Sequence, residues 1–163
     1  RAVLSLGGQT IGVQGTGVDV PYPVSHRALL ESMGRSGTVV SEMEPGTGAG
    51  PGCFPRRNRI IAALAKVTVV VEAGFRSGAI NTATQALELG RVVAAVPGRM
   101  GDAGAGGTNL LIRDGAQVIT DDADLLGLFG IAPPPPARTD DSCSSITPFR
   151  QATIDELLGD IGA

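Results

Sequence analysis

The sequence predicts an α/β fold in which helices cover both faces of a parallel sheet. Short runs rich in Val, Ile and Ala alternate with segments whose apolar residues recur at helical spacing, which is the pattern of strand–helix–strand units. Aromatic residues make up only 3% of the chain while glycines number 24, as expected for an aliphatic core with glycine-rich strand-to-helix loops. With 42% hydrophobic residues, the 163 residues suffice for one domain with a buried core, which excludes wholesale disorder.

Strand and helix signals alternate in chain order. Five segments have the apolar, β-branched composition of strands, namely 10–15, 38–42, 67–73, 91–98 and 116–120. Five further segments have helical spacing or helix caps, namely 25–34, 56–65, 78–90, 108–115 and 121–130. Right-handed crossovers between such strands give a Rossmann-like, doubly wound parallel sheet. The run at 67–73 is the most strongly apolar strand, and we expect it to be buried on both faces.

Local signals predict where several helices begin and end. Ser25 is expected to cap the first helix, with Gly34 just past its end. Pro55 is expected to open the arginine-bearing helix, because proline is favoured at the first helical position. Gly90 closes segment 78–90, and acids in the first turn favour a helix start at Asp121.

The two ends of the chain depart from this alternation. Residues 1–8 read as the back half of a helix with no strand before it, so the first βαβ unit of the sheet is expected to be missing from a domain spanning residues 1–130. Residues 131–150 are rich in proline, serine and aspartate, which is typical of a disordered linker. Residues 151–163 are amphipathic and carry a Thr153/Glu156 capping box, which predicts a short C-terminal helix.

Positive charge is concentrated in the first hundred residues. They hold an excess of four positive charges, whereas the rest of the chain holds an excess of seven negative ones. Two parts of opposite net charge indicate either an anion-binding face with a solvating or regulatory tail, or simple attraction between the two parts of the chain. No acidic residue lies between Glu44 and Glu72, so Arg56, Arg57 and Arg59 have no acidic partner nearby in sequence. These arginines either meet carboxylates from elsewhere in the fold or bind an anion.

The carboxyl ends of the predicted strands bring glycine-bearing loops to one edge of the sheet, where such folds bind ligands. The loops are 15–19, 41–46, 72–78 and 97–109, and the arginine segment enters its helix from the same edge. Backbone N–H groups and helix starts there favour anions, and the residues concerned are Gly15, Gly17, Ser77, Gly78, Gly106, Gly107 and Thr108. Glycines in such loops also serve merely to permit tight turns, but their convergence with arginines favours a phosphate-binding rim.

Helical geometry distinguishes the three arginines. Arg57 lies within the apolar stripe of its helix, so its guanidinium is expected to project over the rim toward the crevice. Arg59 is expected to point to a flank, where it reaches neighbouring loops or solvent, and Arg56 lies at the edge of the stripe. Phe54 is expected in the loop ahead of the helix, either as a hydrophobic staple or as a platform that stacks on a base.

The sequence gives little support for a catalytic site. The only histidine, His26, lies near a helix start, and Cys53 and Cys143 form no C-x-x-C motif. "GTGVD" lacks the full dinucleotide-binding pattern, so no cofactor is predicted. Glu42 and Glu72, at strand ends, are candidates for general bases or for partners of the rim arginines. The sequence carries no signal peptide and no apolar run of membrane-spanning length, so a cytoplasmic location without a membrane partner is expected.

Taken together, these loop motifs resemble the DNA-processing protein A family (DprA, also called Smf), in order and at the right spacing over about residues 1–125. The matching stretches are GTGVD (15–19), YP (22–23), SE (41–42), PG (45–46), FPRRNRIIAAL (54–64), VEA (71–73), SGA (77–79), GR (90–91), VPG (96–98) and GTNLLIRDGA (107–116). The resemblance implies a homodimeric Rossmann-like domain that binds single-stranded DNA in a basic pocket and assists loading of the RecA recombinase in natural transformation, without catalysis. It places Phe54, Arg57 and Arg59 at recurrent motif positions and Arg56 at the variable one, and it adds Asn109 to the candidate DNA-binding residues, which already include Gly107.

The sequence also departs from the family's pattern. The family's N-terminal half lies outside these residues, no Lys or Arg occurs at 48–52, and Ala79 replaces a hydroxyl-bearing residue. Residues 151–163 resemble the beginning of the family's small winged-helix domain.

A rival interpretation is a nucleotide phosphoribohydrolase similar to the LOG family. Proteins of that family carry a glycine-rich loop followed by a glutamate in the next helix. The corresponding segment 72–83 has no acid after Glu72, so a binding module is preferred to an enzyme.

Overall fold

A computed structural model describes residues 1–132 of the chain. The predicted C-terminal segment 151–163, and all but the first two residues of the predicted linker 131–150, lie outside the described residues. Six α-helices and five strands alternate in the described part, namely α1 (Ala2–Ser5), β1 (Ile11–Gln14), α2 (Arg27–Ser36), β2 (Thr38–Ser41), α3 (Cys53–Leu64), β3 (Val67–Val70), α4 (Gly78–Glu88), β4 (Val92–Ala95), α5 (Gly106–Arg113), β5 (Gln117–Val118) and α6 (Asp122–Gly127).

All strand pairs in this region are parallel, which confirms the predicted α/β class. β1 pairs with β2, with Val13 opposite Val40, and β3, β4 and β5 form a second sheet in that order. The predicted parallel sheet is present as two sheets, and only β4 has a strand partner on both sides among residues 1–132.

The core lies between the second sheet and its helices and consists mainly of small aliphatic side chains. Its buried members are Ala62, Val70, Ala73, Ala83, Ala86, Val93, Ala95 and Leu111. α3 and α4 pack along each other, and Ala62 and Ala83 are completely buried there. Alanines at this contact let the helix axes approach closely, so few aromatic residues are needed to fill the interior.

Two helices begin and end elsewhere than the sequence signals predict. α2 begins at Arg27 and continues through Gly34 to Ser36, and no side chain caps it, so neither Ser25 nor Gly34 has its predicted role. α3 begins at Cys53, three residues before the predicted start, after Gly52 in the left-handed region. Proline is tolerated inside the first turn because the N–H groups there have no partner within the helix. Phe54 therefore lies in the helix and not in the loop before it.

The strand predicted at 67–73 is shorter and less buried than expected. β3 ends at Val70, and the side chain of Val71 is 68% exposed. Val69 is also exposed, so this strand is not buried on both faces among the described residues. Two helix starts agree with prediction, because the Ser77 side chain accepts a hydrogen bond from Ala79 N and the Asp121 side chain accepts one from Asp124 N. No helix among residues 1–132 has the length and apolar character needed to cross a membrane.

Candidate nucleic-acid interface

The loop after β1 is held in place by buried polar side chains. Thr16 Oγ1 donates to the carbonyl of Val20 at 2.7 Å, and Gln14 Nε2 donates to the carbonyl of Val18 at 3.0 Å. Ser41 Oγ, at the end of β2, donates to the carbonyl of Thr16 at 2.6 Å. These bonds fix the carboxyl ends of β1 and β2 beside each other. The sequence analysis assigned no role to Gln14 or Thr16, although polar residues at the end of a strand and directly after it were the available signal.

The two glycines of this loop serve close packing. Gly17 N donates to the carbonyl of Thr47 at 2.9 Å, and a Cβ at Gly17 would lie 2.7 Å from the carbonyl oxygen of Glu44. A Cβ at Gly15 would lie 3.1 Å from the ring of Phe54. Both glycines are buried, which agrees with the alternative that glycine permits a tight loop here. The approach of their N–H groups to an anion stays a prediction.

Arg59 forms an ion pair with Glu42, which follows β2. This confirms both the flank predicted for Arg59 and the prediction that Glu42 pairs with a rim arginine. Both side chains stay about half exposed, so the guanidinium keeps donors that face solvent. Arg56, one turn earlier, is exposed and makes no ion pair or side-chain hydrogen bond within the described part of the chain.

Arg57 reaches the C-terminal half of β1, and its guanidinium is bonded there within the protein. Its Nη1 donates to the carbonyl of Val13 in β1 at 2.5 Å, and its Nε donates to Asn58 Oδ1 at 3.2 Å. Partial burial lowers the pKa of Arg57 from its ordinary value. The Val13 carbonyl lies on an edge of β1 that has no strand partner among residues 1–132, within reach of the guanidinium.

An aromatic pair flanks the arginines. The rings of Phe54 and Tyr22 lie 5.4 Å apart at an interplanar angle of 38°, and the Arg57 guanidinium carbon lies 5.8 Å from the centre of the Phe54 ring. Tyr22 is mostly exposed, whereas Phe54 is partly buried. Together with His26, these side chains border a cavity of about 190 Å³ beside β1. Tyr22 was quoted in the sequence only as part of a motif, and its contact with Phe54 was not predicted.

Asn58 connects Arg57 to the start of α4. Its Nδ2 lies 3.2 Å from Asn81 Oδ1 and 3.5 Å from the carbonyl of Gly78, while its Oδ1 accepts from Arg57. Asn58 is buried and was missed by the sequence analysis, although it lies among the arginines. Of the predicted residues at this helix start, Ser77 caps α4 and Gly78 is exposed in open space.

Gly107 and Asn109 form hydrogen bonds that hold the loops following the strands of the second sheet. Gly107 is buried and its N–H donates to the carbonyl of Ala73 at 2.7 Å. Asn109 forms two hydrogen bonds with the backbone of Gly98, accepting from its N–H at 3.1 Å and donating to its carbonyl at 3.0 Å. α5 begins at Gly106, so Thr108 lies inside the helix, not at its start. These groups are occupied within the protein and position the loops.

The predicted loops contact one another in a row. Gly15 lies against Phe54, Asn58 contacts Gly78, and Gly107 contacts Ala73. The row therefore runs from the loop after β1 through the starts of α3 and α4 to the loops after β3 and β4. Its exposed members among the predicted site residues are Arg56, Arg59 and Gly78, and those partly exposed are Phe54, Arg57, Ser77 and Asn109. Contact of these residues with DNA stays a prediction.

Comparison with known proteins gives consistent matches. A family model for DNA recombination-mediator protein A matches residues 1–130. The putative DNA processing protein DprA of Mycobacterium tuberculosis (strain ATCC 25618 / H37Rv) is 45% identical over 130 residues, which cover 80% of this chain and 33% of that protein. The X-ray structure of DNA processing protein A from Streptococcus pneumoniae has a TM-score of 0.72 and 42% identity, covering 77% of this chain and 44% of that one.

A third match comes from Helicobacter pylori. That structure of DNA processing protein A, described as giving insights into a unique single-stranded DNA binding mode, has a TM-score of 0.65 and 28% identity, covering 74% of this chain and 55% of that one. The chain thus spans between a third and about half of the length of these relatives. The family model, the sequence identities and the shared fold agree, and the chain belongs to the DNA recombination-mediator protein A family, which includes the DprA and Smf proteins.

Proposed function

We propose that residues 1–130 bind single-stranded DNA along the row of loops at the carboxyl ends of the strands. The observation that carries this proposal is the start of α3, where Arg56, Arg57 and Arg59 lie together and Glu42 is the one carboxylate paired with them among residues 1–132. Arginine donates planar pairs of hydrogen bonds that suit phosphate oxygens. The H. pylori relative supports the choice of ligand, because its structure is described as binding single-stranded DNA.

The aromatic pair gives the site a second mode of contact. Phe54 and Tyr22 present ring surface next to the arginines, and unpaired bases stack on such rings regardless of their identity. A strand whose phosphates meet Arg56 and Arg59 would bring a base toward this pair. The exposed N-terminus of α4 at Gly78 offers a further backbone N–H to the next phosphate along the row.

We further propose that the domain presents this DNA to the RecA recombinase, during natural transformation and recombination, and that it does so as a homodimer without catalysis. The family name, a recombination mediator, supports a role beside a recombinase. The absence of an acid between Glu72 and Glu88 supports binding over nucleotide cleavage. Incubation with nucleoside monophosphates should release no free base, and repeated turnover would contradict the non-catalytic role.

The DNA-binding proposal is tested by measuring affinity for oligo(dT) across a salt series. Arg59→Ala and Arg56→Ala should each flatten the log–log salt slope by about 0.7, because each phosphate contact releases condensed counterions from a single strand. Phe54→Ala should weaken binding by about 1–3 kcal/mol with little change in slope, because stacking releases no counterion.

Arg113→Ala is the matched control. Arg113 also pairs with a carboxylate, that of Asp114, but it lies at the C-terminal end of α5, away from the row of loops. It should leave both affinity and slope unchanged. If Arg56→Ala and Arg59→Ala fold normally and behave like Arg113→Ala, the arginine cluster has a structural role and the proposed site is wrong.

A further inference from the structure

Aromatic residues are scarce in this chain and concentrate along the row of loops. The sequence has one Tyr, four Phe and no Trp. Of the rings within residues 1–132, Tyr22, Phe54 and Phe75 lie in or beside the row, and only Phe129 lies elsewhere, after α6. The core consists mainly of small aliphatic side chains, so these rings are not needed to fill it. Their concentration along one edge indicates a use other than packing.

The ring of Phe75, in the loop after β3, packs against the first residue of α5. A Cβ at Gly106 would lie 2.6 Å from Phe75 Cε2, 2.9 Å from Cζ and 3.0 Å from Cδ2, so a side chain at this position would displace the ring. Phe75 is nevertheless 68% exposed. The protein therefore supports one side of the ring, while most of its surface is open to solvent.

Hydrogen bonds hold the backbone on both sides of Phe75. Gly107 N donates to the carbonyl of Ala73 at 2.7 Å, and Ser77 N donates to the carbonyl of Gly74 at 3.1 Å. The first bond ties the loop to α5, and the second closes the turn that leads into α4. A ring on a fixed backbone loses little conformational freedom when a ligand stacks on it. Phe75 is thus a preorganised contact surface.

Phe75 lies further along the row than the pair of Phe54 and Tyr22. Phe54 lies one helical turn before Asn58 on α3, and Asn58 contacts the carbonyl of Gly78 at the start of α4. Phe75 precedes Gly78 by three residues, and its ring reaches the start of α5. The exposed start of α4 therefore lies between the two aromatic surfaces.

The charges in the loops around Phe75 are balanced. Arg76 and Arg99 supply two positive charges, and Glu72 and Asp102 supply two negative ones. This part of the row therefore differs from the start of α3, where arginines outnumber carboxylates. Because attraction of phosphates is weak where charges balance, the ring is the group that distinguishes this part of the row.

We propose that Phe75 is a second base-stacking platform and that it makes the row selective for single-stranded over duplex DNA. A strand on the row would place one base on Phe54 and Tyr22, a phosphate at the start of α4 and a later base on Phe75. Phosphates are present in both kinds of DNA, whereas stacking on an exposed ring needs an unpaired base. A duplex would have to unpair and unstack that base first, at a cost in free energy. This inference rests on the proposed function.

The platform is tested on the full 163-residue chain with two strands that carry the same number of phosphates. One strand is oligo(dT), and the other is an abasic oligonucleotide of equal length, whose sugars carry no bases. Phe75→Ala should weaken binding of oligo(dT) by about five- to 150-fold, the range measured for the loss of one stacked base, and should leave affinity for the abasic strand unchanged. Phe75→Tyr keeps the ring and should bind both strands like the parent.

Leu89→Ala is the matched control. Leu89 is an exposed apolar residue just past the end of α4, at the opposite end of that helix from the row. Its removal should change neither affinity.

Gly106→Ala tests the support of the ring. The added methyl group should displace the ring of Phe75, so oligo(dT) should bind more weakly while affinity for the abasic strand stays the same. In the Phe75→Ala background the same substitution should have no further effect on oligo(dT), because the ring is already absent. Gly106 is therefore a positioning residue.

Selectivity is tested with a duplex of the same length. Phe75→Ala should leave duplex affinity unchanged, so the ratio of single-strand to duplex affinity should fall by the same about five- to 150-fold. An equal loss of affinity for the duplex would contradict the selective role.

Other outcomes would overturn the platform itself. A folded Phe75→Ala variant that binds oligo(dT) like the parent would show that no base stacks on this ring. Equal losses of affinity for oligo(dT) and the abasic strand would show that Phe75 only supports its loop. Both results leave the proposed function standing, whereas a parent protein that binds neither strand would overturn the proposed function and the platform together.

Discussion

The carboxylate of Glu42 forms an ion pair with the guanidinium of Arg59, which joins the end of β2 to the second turn of α3. The pair lies at the surface, where an interaction of this kind contributes little to stability. Its consequence is electrostatic, because Glu42 partly neutralises an arginine that would otherwise offer its full charge to a phosphate. The ion pair therefore competes with the proposed DNA contact.

Glu42→Gln should strengthen oligo(dT) binding. The substitution keeps the shape of the side chain but removes the competing charge, so affinity should rise by up to about fivefold, equivalent to the ~1 kcal/mol upper range of an exposed ion pair. Asp114→Asn is the matched control, because it releases Arg113 far from the row of loops. Equal affinity of the two variants in the salt series would show that Glu42 does not compete with DNA.

Gly107→Ala should destabilise the fold. A Cβ there would lie 2.6 Å from the carbonyl oxygen of Gly74 and 2.7 Å from that of Ala73, and backbone atoms have little freedom to move away. We expect a loss of about 2–3 kcal/mol in the free energy of unfolding, measured by urea denaturation. Gly48→Ala is the control, because a Cβ there meets nothing within 4 Å. A loss no larger than that of Gly48→Ala would show that the loop adapts to the methyl group.

Thr68→Val should stabilise the protein. Thr68 Oγ1 is buried and has no hydrogen-bond partner among residues 1–132, so the hydroxyl costs free energy that a methyl group would not. We expect the free energy of unfolding to rise by about 1–2 kcal/mol. Thr16→Val should have the opposite effect, because Thr16 Oγ1 is buried and bonded to the carbonyl of Val20. A decrease of melting temperature for Thr68→Val would contradict this account.

The sequence by itself determined the order and type of the elements. The alternation of apolar runs and helical segments identified all five strands and the parallel α/β class, because these depend on local periodicity. It also identified the helix starts at Ser77 and Asp121, since a helix start depends on neighbours within a few residues. The motif spacing identified the family, and the excess of arginine at the start of α3 marked the candidate site.

Only the tertiary structure decided which of those residues are free to meet a ligand. Arg57 and Arg59 are the same residue type in the same motif. Arg57 nevertheless donates to the carbonyl of Val13, whereas Arg59 pairs with Glu42. Sequence periodicity assigns a face to a helical residue, but its partner depends on which strand edge or loop lies opposite. The division into two sheets has the same origin, because strand pairing joins residues far apart in the chain, and local pattern carries no information about which edges remain unpaired.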